Sequence, residues 1–423
     1  MPLGLNETCH CVSLDEKALQ AHFDAALARA GSLPALLAGR EHLFAPYPVF
    51  ASRDQLSAMQ AVIEAAHEVM ALPAWREEAL RGLPWPDEKT RSVLMGFDFH
   101  PQPDGAKLIE INTNAGGAYL AALQTDRQRA CCEFAGAALA SPTAGSDTPR
   151  RWFEDFVSEW RLARGDRELR RALIVDENPE QQFLYPEFLL FRGLFRRHGV
   201  WCEIADPREL GFESGKLRCR GEAIDLVYNR LTDFTLSAPQ NAALRKAYLG
   251  DAVVLTPSPR HHALYADKRH LVHLADEGFL ERIGASAQAR RVLAAHVPRA
   301  RLVTAADAEA IWSERKRYFF KPFAGYGSRG AYRGDRMTRR VWEQILASGG
   351  YIAQEFAAPP ARRSGPDTDA RPLKFDLRCV TYGSEIRLVN ARLYQGQTTN
   401  LRTASGGLGS VFVPAMRSET TNV

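Results

Sequence analysis

Three segments of this chain set charged and amide side chains at strand spacing, and each could hold a metal ion or a phosphate. The first is Met95-Gly-Phe-Asp98-Phe-His100 followed by Lys107-Leu-Ile-Glu110-Ile-Asn112-Thr-Asn114. Between them lies Pro101-Gln-Pro-Asp-Gly105, a strong turn signal. Side chains alternate along a strand, so Glu110 and Asn112 share one face while Ile109 and Ile111 take the other. Opposed residues of an antiparallel hairpin have position numbers of constant sum, and a turn centred on Asp104 then sets Asp98 opposite Glu110. Their Cβ atoms would be about 4.5–5.5 Å apart. Bare like charges repel at that range; a divalent cation relieves the conflict, and Asp, Glu and Asn oxygens suit Mg²⁺. The competing reading is two unrelated surface carboxylates.

The second segment is Phe319-Phe-Lys321-Pro-Phe-Ala-Gly325-Tyr-Gly327-Ser-Arg-Gly330. A strand delivers a lysine and then glycines, whose backbone N–H groups can approach phosphate oxygens. The spacing fits neither a Walker A loop nor a Rossmann turn, and a plain hairpin would look similar. The third segment alternates over Lys374-Phe-Asp376-Leu-Arg378 and Asn390-Ala-Arg392. A loop centred on Ser384 puts Asp376 opposite Arg392 and Arg378 opposite Asn390. Paired arginines on one face can fork onto phosphate or carboxylate oxygens; the alternative is a surface salt bridge of little energy. Thr398-Thr-Asn400 through Gly406-Gly-Leu-Gly409 adds a polar, glycine-rich loop.

Weaker candidates lie elsewhere. Asn229-Arg230 follows a strand whose C-terminal end would face a cleft, so Arg230 could grip a substrate carboxylate. His100 and Asn114 sit beside the first hairpin and are further substrate candidates. Cys9-His-Cys11 is a single C-x-C, thin support for zinc. Cys131-Cys132 reads as buried packing, His261-His262 as a satisfied polar pair near the core, and Arg161–Arg171 as a solvated helix face.

These segments need elements to position them. The chain has 423 residues, 45% hydrophobic and 25% charged, which suits two or three folded domains rather than disorder. Lys+Arg 54 against Asp+Glu 50 is too even for a nucleic-acid surface. No apolar run is long enough to span a bilayer. The first residues lack a basic n-region and an apolar h-region, so no signal peptide is expected. Seven cysteines fit a reducing cytoplasm.

Residues 1–140 read as mainly helical. Ser52 and Gln55 form a capping-box pattern ahead of a helix over Arg53–Met70. Strands are expected at Val93–Phe99 and Lys107–Ile111. Ser141–Pro149 reads as a linker. Residues 165–262 alternate strands (Ala172–Val175, Val200–Ile204, Ile224–Tyr228, Val253–Leu255) with a helix at Glu187–Arg197, a small parallel α/β unit. Residues 263–415 begin with a helix near Lys268–Asp276. Strands then follow at Tyr318–Lys321, Tyr351–Phe356, Phe375–Tyr382, Ile386–Arg392 and Val411–Val413. Ala358–Pro372 reads as a mobile surface loop.

Taken in order, these pieces resemble the ATP-grasp superfamily, most closely its glutathione synthetase branch. Asp267-Lys268 is similar to that branch's helix lysine; Lys321 with Gly325, Gly327 and Gly330 to its strand lysine and flexible loop; Gln354-Glu355-Phe356 to its adenine hinge. Asp376, Arg378, Arg392 and Asn400 follow in the family's order, with Gly406-Gly407 after them. The family's terminal Asp…Glu-x-Asn is missing after Gly409 and occurs instead as Asp98…Glu110-x-Asn112. That resembles the circularly permuted proteins related to glutathionylspermidine synthase.

The resemblance implies a mixed α/β and α+β architecture: a permuted ATP-grasp fold with a small α/β pre-ATP-grasp domain and a helical N-terminal region. It implies an ATP-dependent ligase joining a small carboxylate to an amine through an acyl phosphate, with ATP and two Mg²⁺ (or Mn²⁺) ions. Lys268, Lys321, the three glycines, Gln354, Glu355, Asp376 and Asn400 would then bind nucleotide. Asp98, Glu110 and Asn112 would bind metal, and Arg378 and Arg392 would act on the transferred phosphoryl group. Its partners would be small molecules, not nucleic acid or membrane. The alternatives are a kinase of the same fold and a non-catalytic ATP-binding regulator.

Overall fold

The computed structural model of the protein describes residues 2–10, 12–15, 17–21, 39–40, 42–130, 139–140, 142, 147–323, 325, 330–363, 371–401 and 403–414. Gly327, Cys11 and Cys131-Cys132 lie outside these, as do parts of the 141–149 and 358–372 segments.

A short helix α1 (Pro2–Thr8) and strand β1 (Val49–Phe50) lead into α2 (Arg53–Ala71). The expected capping box forms: Ser52 accepts from the Gln55 amide and Gln55 Oε1 accepts from the Ser52 N–H. The α2 stripe of Met59, Val62, Ile63, Ala66, Val69 and Met70 is buried. Strands β2 (Met95–Gln102) and β3 (Gly105–Asn112) follow, then α3 (Ala118–Asp126) and α4 (Thr148–Arg164).

The α/β unit consists of β4 (Arg171–Val175), α5 (Tyr185–Arg197), β5 (Trp201–Ala205), β6 (Leu226–Asn229) and β7 (Val254–Thr256). Its strands run parallel in the order β7-β6-β4-β5, as the alternating pattern predicts.

The remainder holds α6 (His270–Leu274), α7 (Ala287–His296), β8 (Ala300–Leu302), β9 (Tyr318–Pro322), β10 (Tyr332–Arg333), α8 (Arg339–Ser348) and β11 (Tyr351–Glu355). The chain then enters β12 (Leu373–Tyr382), β13 (Glu385–Tyr394) and β14 (Gly407–Pro414). The helix expected from Lys268 starts later, at His270, because Asp267 accepts the Arg269 amide in a tight turn and His262–Ala266 forms a π-helical turn before it. α7 and α8 are short amphipathic helices that the strand-rich reading of this region passed over. Gly407 and Gly409 are strand residues of β14 and not part of a glycine loop.

Two sheets matter for the site. The larger one has the path β1-β14-β13-β12-β2-β3, so strands from both ends of the chain interleave. Its apolar underside, with Phe97, Phe99, Phe375, Leu377 and Val389, packs on Met59, Ile63 and Leu293 of α2 and α7. The smaller antiparallel sheet runs β8-β11-β9-β10, with Phe320 and Ala353 packed on Trp342 and Ile345 of α8.

The registers predicted for both hairpins hold at the charged positions, for a reason the sequence did not show. Both turns have two residues, Pro103-Asp104 and Gly383-Ser384, where odd loops were expected. Each hairpin also carries a bulge, at Ile109 and at Arg387. The extra residue offsets the shorter turn, and Asp98 again meets Glu110 while Asp376 meets Arg392.

Two buried polar residues tie these parts together. Glu159 of α4 is fully buried. It accepts from the Arg91 and Ser92 amides, Thr256 Oγ1 and Tyr382 Oη. That fixes the turn ahead of β2, where Ser92 and Leu94 have positive φ. Arg362, inside the segment expected to be a surface loop, is 0% exposed. Its guanidinium donates to the carbonyls of Pro48, Asn6, Arg363 and Cys9. Ala361–Arg362 pairs with the start of β12, so this part of the segment is an ordered edge. Arg161 and Arg164 close α4, and Arg164 pairs with Asp251.

Candidate active site

The polar face of the larger sheet meets the smaller sheet across an open cleft of about 1120 Å³. Glu110, Asp98, Arg378, Asn390 and Ser410 stand in one row across β3, β2, β12, β13 and β14. Asp376 and Arg392 form the next row on β12 and β13. Arg378 can lie flat across β2 because residue 96 is glycine: a Cβ there would sit 2.7 Å from Ala115 Cβ and 3.1 Å from Arg378 Nε.

The charges pair with one another. Arg378 forks onto Asp98, Nε to Oδ1 at 2.6 Å and NH2 to Oδ2 at 2.8 Å. Arg392 NH2 donates to Asp98 Oδ2 at 2.8 Å, and its Nε to Asp376 Oδ1 at 2.7 Å. Asn112 Nδ2 also donates to Asp98 Oδ2, at 3.1 Å, and its amide oxygen has no hydrogen-bond partner among the described residues. Burial would raise the Asp98 carboxyl, but Arg378 and Arg392 overcome that and hold it at about 2. Burial acts on Glu110 in the same sense; Lys268, 2.9 Å away, and Lys321 pull it below the ordinary carboxylate range. The cross-strand repulsion expected between Asp98 and Glu110 is thus relieved here by four cations.

Lys321 is the penultimate residue of β9 and is buried. It donates to the Ile109 carbonyl at 2.7 Å, an oxygen exposed by the β3 bulge, and to Gln354 Oε1 at 2.8 Å. Desolvation lowers it to about 8, against the pull of Glu110. Lys268 also donates to the Gly325 carbonyl at 2.6 Å. Gly330 has φ +70°, and a Cβ would lie 2.9 Å from Tyr351 Oη, so the glycine is required where the segment returns to β10.

Gln354, Glu355, Phe356 and Ala357 line the far end of the cleft with Phe319. Phe356 stacks on Phe319 and lies under the Arg333 guanidinium, 4.5 Å from the ring centroid. His100 Nδ1 hydrogen-bonds the Ala357 carbonyl at 2.7 Å. Burial keeps this imidazole below its ordinary pKa despite Asp376.

Most residues expected at the site line this one cleft: Asp98, His100, Glu110, Asn112, Lys268, Lys321, Gly325, Gln354, Glu355, Asp376, Arg378 and Arg392. Asn400 does not line it. Its amide donates to the carbonyls of Gln395 and Thr398, and its Oδ1 accepts from Thr403, which folds the neighbouring loop. Asn114 and Arg230 come together away from the cleft. Asn114 Nδ2 donates to the Arg230 and Leu231 carbonyls, and Arg230 NH1 to the Ala115 carbonyl. Arg230 is buried at 7% exposure, away from the surface, and among the described residues its Nε has no hydrogen-bond partner.

Three cleft features escaped the sequence. Thr399 Oγ1 donates to Asp376 Oδ2 at 2.6 Å. Lys374 lines the cleft, as its alternation with Asp376 and Arg378 could have indicated. The Ile109 carbonyl carries no side-chain signature. Among the described residues no cluster of three His, Cys, Asp or Glu suited to a metal occurs, and no helix is long and apolar enough to cross a membrane.

No protein-family model and no curated protein matches the chain. Solved structures do. A glutathione synthetase-like effector (GSS30) from Globodera pallida, in apo form, superposes with TM-score 0.51 at 12% identity, over 93% of this chain and 97% of that one. A putative gamma-glutamylcysteine synthetase from Methylobacillus flagellatus KT gives TM-score 0.45 at 10% identity, over 85% and 87%. The ATP-grasp ligase PsnB, complexed with minimal precursor, Mg and ADP, gives 0.30 at 15% over 57% and 87%. The near end-to-end match to the first of these, with two sheets closing on a cleft of lysines, arginines and carboxylates, identifies the architecture of this chain as an ATP-grasp-type fold.

Proposed function

We propose that the chain is an ATP-dependent carboxylate–amine ligase working through an acyl phosphate. The observation that carries this reading is the row Glu110–Asp98–Arg378, flanked by Lys268, Lys321 and Arg392 in one cleft. Phosphoryl transfer needs little covalent help from a protein but much positioning and charge neutralisation. The γ-phosphoryl group would pass to a substrate carboxylate oxygen as its bond to ADP breaks. An amine would then attack the acyl carbon and expel phosphate, leaving an amide.

In this reading Lys268 and Lys321 hold the α- and β-phosphates, with Gly325, Gly327 and Gly330 covering them. Arg378 and Arg392 leave Asp98 to grip the transferred group. Gln354, Glu355 and the backbone around Phe356 face the base, and Asp376 the sugar or phosphate side. Asn400 contributes by shaping its loop. Asp98, Glu110 and the free Asn112 oxygen form a hard-oxygen donor set that fits Mg²⁺, two ions or Mn²⁺ in their place. Bound there, the metal would neutralise phosphate charge. Arg230, with its unpartnered Nε, would take a substrate carboxylate, beside Asn114. The metal-binding hairpin would then precede the nucleotide-binding strands as a circular permutation. The matching domain division is 1–140, 165–262 and 263–415.

The test is phosphate release from ATP with mixtures of amino acids and small peptides. Release that requires both an acid and an amine supports the ligase. ADP formation with an alcohol or sugar alone and without phosphate release would indicate the kinase, and tight ATP binding with neither product the regulator.

A further inference from the structure

One strand face spans the cleft from end to end. On β2, Asp98 and His100 line the cleft and Gln102 follows on the same face by strand alternation, while Phe97 and Phe99 enter the core. Asp98 belongs to the Arg378–Arg392–Lys321 end, and Gln102 Nε2 donates to the Ala358 carbonyl beyond the hinge. His100 lies between them, about 6.6 Å along the strand from Asp98. If the polyphosphate occupies the charged end and the base the hinge, the sugar lies over His100.

The chemistry of the ring fits that position. The Ala357 carbonyl can only accept, so the Nδ1 facing it carries the proton. The neutral ring then presents Nε2 as a lone-pair acceptor. Among the described residues the ring's hydrogen bond is the one at Nδ1, and none donates to Nε2. Phosphates offer no donor to it, whereas ribose hydroxyls do. Both oxygens of the neighbouring Asp376 are already engaged, by Arg392 and Thr399.

We propose that His100 is a nucleotide-selecting residue, its Nε2 accepting a hydrogen bond from a ribose hydroxyl while its Nδ1 holds the hinge. This rests on reading the cleft as a nucleotide site, and nothing in that reading assigns the sugar to His100.

The experiment titrates ATP, 2′-deoxy-ATP and 3′-deoxy-ATP with Mg²⁺ into the 423-residue chain by calorimetry. The unsubstituted chain should prefer ATP over one of the two analogues by about tenfold, the value of one hydrogen bond. His100→Asn puts an amide donor where Nδ1 stands and removes the acceptor; the preference should fall below about twofold with ATP still bound. His100→Gln restores an acceptor near Nε2 and should recover part of it. Binding without discrimination in the unsubstituted chain, or an undiminished preference in His100→Asn, overturns the role of His100 and leaves the nucleotide site standing. Failure of the unsubstituted chain to bind any of the three overturns both. Because the readout is a ratio within each variant, general loss of affinity does not mimic the expected result.

Discussion

Asp98 accepts four hydrogen bonds, three of them from two arginines, while lying almost wholly out of water. Removing one partner of a buried ion cluster strands the others. Asp98→Ala should therefore cost about 3–5 kcal/mol in urea unfolding. An unchanged midpoint would mean that the arginines find other partners. The folded pKa of Asp98 lies below its unfolded value, so its contribution is present above about pH 4 and is lost as pH falls toward 2. Lys321 gives a second test. Its pKa is lowered to about 8, and polyphosphate favours the charged form. ATP affinity should hold steady below pH 8 and fall above it, with proton uptake on binding. Lys321→Arg, which stays protonated, should flatten that profile even if it binds more weakly. Alternation along β12 and β13 made the paired side chains legible from the sequence. The Ile109 and Ala357 carbonyls were not legible, because every residue has one and only the fold selects which is used.

At the level of elements, the two hairpins show how a correct register can follow from an incomplete premise. Turn length and bulge compensate, and neither alone is visible in residue types. Gly96 is the exception, since its absent side chain is what lets Arg378 cross β2. Gly96→Ala should lower phosphate release at least tenfold while leaving the circular dichroism spectrum intact, because the Arg378 geometry suffers before the sheet does. Glu159→Ala tests a different link. It would strip acceptors from two amides and two hydroxyls between α4, β2, β7 and β12. A loss of about 2–4 kcal/mol in unfolding free energy is expected; Glu159→Gln, keeping one acceptor oxygen, should lose less.

For the whole molecule, the charged end of the cleft holds four of its six lining cations, Lys268, Lys321, Arg378 and Arg392, against three of its four carboxylates, Asp98, Glu110 and Asp376. Without ligand they neutralise one another. Mg²⁺ alone would have to displace arginines and then face them; nucleotide alone would uncover carboxylates. Each ligand should therefore raise the affinity of the other, by about tenfold or more, and equally in both directions. Calorimetric titrations of each in the presence and absence of the other would reveal independent binding if the idea is wrong. This property joins residues near 100 with residues near 380. The order of motifs along the chain pointed to their meeting, whereas the salt-bridge exchange became visible only with the sheet assembled.

Arg362 holds the first turn of the molecule in place through carbonyls alone. A cation satisfied by another segment's backbone makes that segment behave as a bound peptide. A chain cut after residue 10 should keep the severed piece noncovalently, and one lacking it should regain thermal stability when a synthetic 1–10 peptide is supplied; Asn6→Ala, which keeps the carbonyl for Arg362 but loses the two hydrogen bonds its side-chain amide exchanges with the Phe50 backbone, should weaken the rescue.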